Sequence, residues 1–188
     1  AIQLAKDLRS SNKEVGIVLM GYISNVFMYS IPKFAKDIAG VVDAVLCVDA
    51  PHEIHEEKEL RTELKKYDID LIKLIAPTTS DERISEIAKI SSGFIYSLNV
   101  KGISGVKKAD VGEVSSMIKR IKSLTKTPVV SGFGIQNPDD ARLITKSGCD
   151  GVVIGSTFVE FIEKNINDKK LPQMIGKIVR HFKDALNL

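Results

Sequence analysis

The sequence predicts an α/β protein built on a parallel sheet, and three observations carry this. Six short apolar runs alternate with amphipathic stretches of helical period. No hairpin signal joins one run to the next, so the connections must be crossovers. Several runs are almost continuously apolar, as strands are when both of their faces are covered.

The elements follow in order. Residues 1–11, AIQLAKDLRSS, read as a helix with Ala1, Leu4, Ala5 and Leu8 on one side. VGIVLMGY is a buried strand. SIPKFAKDIAGV is a helix, with Pro32 in its first turn and Gly40 near its end. AVLCVDA is the next strand, residues 52–67 form a charged helix, and DLIKLIAP is the third strand. SDERISEIAKIS is a helix with Ser80 as its N-cap and Glu82 and Glu86 towards its start. GFIYSLN is a strand, followed by a long loop, VKGISGVKKAD, and a helix that Asp110 can cap. PVVSGF is a strand. The helix after it has Asn137 as cap, Pro138 at its first position and Gly148 at its end. GVVIGST is the last strand, followed by a short helix, FVEFIEKN, and a final amphipathic helix, PQMIGKIVRHFKDAL. Six strands suit an open doubly wound sheet, or an eight-stranded barrel with two more strands upstream. The leading helix, with no strand before it, suggests a strand further forward.

At 188 residues and 44% hydrophobic content the chain can bury one sizeable core, so residues 1–188 are expected to form a single domain. The formal charge is only +3, and basic residues are mixed with acidic ones, which excludes a nucleic-acid partner. The apolar runs are of strand length, so no membrane span is expected, and no signal segment is read at the start. Cys47 and Cys149 match no metal or redox spacing and read as small apolar fillers in a reducing cytoplasm.

Ligands of parallel α/β folds sit at the carboxyl ends of the strands. Three glycine-bearing turns fall there: Ser104–Gly105, Gly132–Phe133–Gly134, and Gly155–Ser156 ahead of the short helix. Glycine lets backbone N–H groups approach an anion, and a helix N-terminus adds unpaired donors. Together they match the phosphate site of a (β/α) barrel, built from the loops after strands 7 and 8 and an extra short helix. A nucleotide-binding sheet would carry its glycine fingerprint after the first strand, where MGYISNVF has one glycine. No GxxxxGK[ST] loop is present.

The segments LMGYISNVFMYSIPKF, VLCVDAPHE, LIAPTTSDERISEIAKISSGFIYSLNVKGISG, VVSGFGIQNPDDA and DGVVIGSTFVEFIE resemble tryptophan synthase α subunits over almost the whole chain. The resemblance implies a (β/α)8 TIM barrel of which this chain covers about the last six βα units. It implies retro-aldol cleavage of indole-3-glycerol phosphate to indole and glyceraldehyde 3-phosphate. Indole would pass to a β subunit in an α2β2 assembly, whose pyridoxal phosphate belongs to the β subunit, with no cofactor in this one. By position, it implies that Gly105, Gly134, Gly155 and Ser156 hold the phosphate. Tyr22, Leu46, Leu74, Tyr96 and Phe133 would flank the rest of the substrate. Gly102 and Ser104 would belong to a lid loop, with Ser104 where the family usually has Thr. Asp49 and Pro51 would face the subunit contact, and Ser24 stands where a partner-contacting Asn is typical. The family's acid/base glutamate and indole-binding aspartate have no match here and are expected upstream of Ala1. Retro-aldol cleavage needs indole C3 protonated and a glycerol hydroxyl deprotonated, work for positioned carboxylates. The gene product is therefore expected to be longer, and this stretch alone inactive. A barrel lacking two strands is also expected to expose unpaired strand edges.

Other polar residues read as bland. Lys73, inside an apolar run, is expected to snorkel outward rather than form a Schiff base. His52 and His55 lack HExxH spacing and open a charged helix, and His181 has no paired ligand in view. Lys101, Lys107 and Lys108 either steer an anion or simply face solvent. Two further readings stand beside the lyase. One is another phosphate-barrel enzyme, of the indole-3-glycerol phosphate synthase or phosphosugar isomerase type. The other is a non-catalytic module that binds the β subunit.

Overall fold

The computed structural model describes residues 1–98, 111–132 and 134–186. The chain divides into two compact units, Ala1–Leu74 with Glu86–Ile95, and Ile75–Ser85 with Tyr96–Leu188. In chain order the elements are α1 (Ile2–Ser11), β1 (Val18–Gly21), α2 (Ile23–Tyr29), α3 (Ile31–Ile38), β2 (Ala44–Cys47), α4 (His55–Lys65), β3 (Asp70–Ile75), α5 (Asp81–Ile90) and β4 (Ile95–Leu98). They continue with α6 (Val111–Leu124), β5 (Val129–Gly132), α7 (Pro138–Lys146), β6 (Gly151–Val153), α8 (Ser156–Lys164) and α9 (Leu171–Leu186). The boundary between the units falls within β3, α5 and β4.

In the first unit β1, β2 and β3 are parallel neighbours, with Leu19 opposite Val45 and Leu46 opposite Ile72. All four residues of β2 are buried, because both of its faces are covered. α3 buries Ile31, Phe34, Ala35 and Ile38, the i, i+3, i+4, i+7 stripe of an amphipathic helix. It ends before Gly40, whose φ of +69° is open to glycine without strain. The core gathers this stripe, Val45 and Cys47 of β2, Leu60 and Leu64 of α4, and Leu71 of β3.

Two expectations need correction. β1 is not covered on both faces: Val18 and Met20 are 41% and 63% exposed, while Leu19 packs on the core. Strand side chains alternate, and the face bearing Val18 and Met20 is open among the described residues. Lys73 does not snorkel outward. It is 6% exposed and pairs with Glu57 of α4, which is fully buried. The partner lies 16 residues away, so the local apolar run could not reveal it. Helix α2 was also not anticipated. It is seven residues long, too short for a periodic signal, and its own residues supply no side-chain cap.

In the second unit β5 and β6 are parallel, with Gly132 opposite Val153. Asn137 caps α7 as expected, accepting the Asp140 N–H at 2.9 Å, and Gly148 follows the helix at φ +97°. α6 buries Val114, Met117, Ile118 and Ile121. α9 packs on α7, and Phe182 of α9 meets Phe158 of α8 with ring centroids 6.0 Å apart.

One device occurs in both units. Asp43, just before β2, accepts the N–H of Ile17 ahead of β1 at 2.6 Å and pairs with Arg9 of α1 at 2.6 Å. Asp150, just before β6, accepts the N–H of Val129 at the start of β5 at 2.7 Å and pairs with Lys122 of α6 at 2.8 Å. Each aspartate accepts the N–H at or just before the start of the neighbouring strand, and each ties in the helix that leads into that strand.

Candidate phosphate and substrate site

The second unit holds the clearest constellation. Because Gly132 and Val153 stand side by side, the loops leaving β5 and β6 start next to one another. The first loop turns at Gly134, with φ +42°. The second ends at Gly155, the N-cap residue of α8. The two loops are joined: the Thr157 hydroxyl, in the first turn of α8, donates to the Ile135 carbonyl. This brings Gly134 close to Gly155 and Ser156.

The start of α8 differs from that of α7. No side chain caps α8, and its first turn carries no acidic residue, whereas α7 has Asn137 as cap and Asp139 and Asp140 in its first turn. The N–H groups of Phe158 and Val159 reach the Gly155 carbonyl. Those of Ser156 and Thr157 lie before the first intrahelical bond and point out along the helix axis. A Cβ on Gly155 would meet no atom within 4 Å among the described residues. Among the described residues the N–H donors of Ser156 and Thr157 have no partner, and free donors at the positive end of a helix dipole, beside a glycine turn, suit an anion.

Tyr96, the first residue of the second unit's portion of β4, reaches this end of β5 with its side chain. A Cβ built on Gly132 would lie 1.8 Å from Tyr96 Oη, so the phenol lies directly across the Gly132 backbone. Burial raises the hydroxyl pKa of Tyr96. Gly132 is thus the seat of Tyr96, a role that its place in a glycine turn did not reveal. Gly105, Gly102, Ser104 and Phe133 lie outside the described residues, as do Asp110, Lys101, Lys107 and Lys108.

In the first unit, Leu46 is 4% exposed and sits on the face of β2 opposite Val45 and Cys47. Leu74 is half-buried and shares its face of β3 with Ile72. Tyr22 follows β1 as the N-cap residue of α2, is 56% exposed and lines a cavity of about 180 Å³ with Met20, Tyr29, Phe34 and Cys47. Asp49 accepts the N–H of Ile23 at 2.7 Å, capping α2 from the end of β2. Pro51 is exposed. His52 stands between Glu53 and Glu86, at 3.6 and 3.5 Å. Among the described residues no cluster of three or more His, Cys, Asp and Glu is arranged to hold a metal.

The family model described as "Tryptophan synthase alpha chain" matches residues 1–187. A tryptophan synthase alpha chain from Ruthia magnifica subsp. Calyptogena magnifica is 39% identical over 187 residues, which cover 99% of this chain and 68% of the relative. The chain belongs to the tryptophan synthase alpha chain family. Among solved structures, the tryptophan synthase subunit alpha of Legionella pneumophila str. Paris matches with a TM-score of 0.84 at 26% identity, over 99% of this chain and 68% of that one. A tryptophan synthase alpha-subunit from Pyrococcus furiosus matches with a TM-score of 0.82 at 26% identity, over 97% and 72%. The fold class is accordingly the α/β barrel of this family, and a chain covering about its last six βα units is consistent with that match. The reaction of tryptophan synthase alpha chains is cleavage of indole-3-glycerol phosphate, so the protein is a carbon–carbon lyase of tryptophan biosynthesis. Membership in the family removes the synthase and isomerase readings. No helix of the described residues is long and apolar enough to cross a membrane.

Proposed function

We propose that the substrate phosphate is held at the end of β5 and β6 by backbone donors of Gly134, Gly155 and Ser156, with Gly105 completing the set. The observation that carries this is the Thr157–Ile135 hydrogen bond, which fastens an uncapped helix start to a glycine turn. Neutral donors and the helix dipole bind a dianion without a competing fixed cation. Tyr96 and Phe133 are assigned to the glycerol and indole parts of the substrate, and Leu46, Leu74 and Tyr22 keep the substrate-flanking role that the family resemblance gives them. Gly102 and Ser104 keep the lid-loop role that the family resemblance gives them.

In the same reading Asp49 and Pro51 meet a β subunit in an α2β2 assembly, to which indole is handed. This subunit needs no cofactor of its own, and pyridoxal phosphate resides in the β subunit. The setting is cytoplasmic.

Ser156→Asp tests the phosphate site. A carboxylate at the start of α8 favours the helix but repels a dianion. The variant should melt at or above the parent temperature, and its affinity for glycerol 3-phosphate should fall roughly tenfold or more, about 1.4 kcal/mol. Equal affinity for the ester in both proteins would remove Ser156 from the site.

A further inference from the structure

We infer that the buried Glu57–Lys73 pair is a positioning device for the segment Asp49–Pro51, part of the connection 48–54 between β2 and α4. Both side chains are sealed, Glu57 at 0% and Lys73 at 7% exposure. A single carboxylate oxygen, Glu57 Oε1, receives both Lys73 Nζ and, at 3.4 Å, Arg61 Nε. The other oxygen, Oε2, has no partner among the described residues. Burial draws the Lys73 amine below its ordinary range, although Glu57 pulls it back up. Such a pair is a poor route to stability, since apolar residues of similar volume are often as stable or more so. It offers direction instead. Apolar helix faces slide along a sheet at little cost, whereas an ion pair on one oxygen fixes the helix to within a hydrogen-bond length.

The placement gives that direction a target. Glu57 is the third residue of α4, directly after the β2–α4 segment. Lys73 lies on the face of β3 that bears the core residue Leu71. The segment is therefore held at one end by β2 and at the other by a charge lock on β3. Between these anchors Asp49 reaches over to cap α2 through the Ile23 N–H, at 2.7 Å. Ile23 N–H thus reports where the segment sits.

That the positioned segment serves subunit contact rests on the reading of Asp49 and Pro51 above, and the test separates the two. The apolar double variant Glu57→Leu/Lys73→Met is made in the full protein, and amide exchange of Ile23 is followed with Leu19 as control. The pair as positioning device predicts parent-like melting, unchanged exchange at Leu19 and exchange at Ile23 accelerated roughly tenfold or more. Lys73→Arg, which keeps the charge lock, should hold Ile23 exchange near the parent rate. Unchanged Ile23 exchange in the double variant overturns the inference. So does a double variant that fails to fold, because the pair would then be supporting the core. Affinity for the β subunit is measured alongside, and a roughly tenfold loss is expected. If Ile23 exchange quickens while that affinity stays at the parent value, the pair positions the segment and the subunit-contact reading is what fails.

Discussion

The hydroxyl of Tyr96 rests against the backbone of Gly132, where an added Cβ would stand 1.8 Å from Oη, 2.3 Å from Cζ and 2.7 Å from Cε2. No methyl group fits at those distances, so one of the two residues must give way. Gly132→Ala is expected to destabilise the fold by about 1–3 kcal/mol, as overpacked cores do. Tyr96→Ala removes the obstacle, so adding Gly132→Ala to it should cost almost nothing further, and the two changes should be strongly non-additive. Tyr96→Phe should rescue little, because the ring carbons remain in the way. Urea melts of the four-member cycle measure this, and additive losses would refute the contact.

The cap of α7 and the glycine turn that precedes it should respond differently to substitution. Asn137→Ala removes a cap at 2.9 Å and should cost about 1 kcal/mol of stability while leaving phosphate-ester affinity near the parent value. Gly134 is at φ +42°, where a side chain is strained, so Gly134→Ala should cost about 1 kcal/mol. It should also weaken ester binding, because it displaces the turn itself. Melting and calorimetric titration with glycerol 3-phosphate separate the two. Equal ester affinity in both variants would place the Gly134 turn outside the site.

The alternation of strand and helix was legible because each strand is a compact apolar run and most helices carry their own signals. Pro32, Asn137 and Gly148 all act where the local rules put them. What escaped was set by residues distant in sequence. Lys73 looks like a snorkelling lysine until Glu57 is brought beside it. Helix α2 has no start signal of its own, because its cap, Asp49, arrives from another strand. β1 has the composition of a covered strand, and composition alone cannot say whether Val18 and Met20 meet a neighbour. Around the candidate site, Gly155 and Ser156 were visible as a turn ahead of a short helix. The Thr157 link and the seating of Tyr96 on Gly132 were not, since neither follows from local spacing.

The two cysteines should behave as packing residues. Burial pushes the Cys47 thiol up to about 11 and raises that of Cys149 as well. The thiolate is the reactive form, so at pH 8 only about one part in a thousand of Cys47 is available. Neither thiol should react measurably with a disulfide reagent in the native protein, and both should react at once in denaturant. Fast native labelling of either one, located by mass spectrometry, would show that its burial is wrong.

Acid should loosen the second unit through Asp150. Its burial alone would raise the carboxyl pKa, but hydrogen bonds from Lys122 and the Val129 N–H outweigh this and hold it below the ordinary value. A depressed folded-state value means that the stabilisation is present above the unfolded value, about 3.9, and is lost as pH falls through the folded one. Asp150→Asn keeps an acceptor for Val129 but loses the charge for Lys122. The variant should therefore be less stable than the parent at pH 7, and the gap should close below about pH 4. Both partners are substantially exposed, at 36% and 42%, so screening keeps the gap small and 1 M salt should narrow it further. Denaturant melts from pH 7 to pH 3 measure it, and a gap that persists unchanged at pH 3 would mean that Asp150 acts through shape rather than charge.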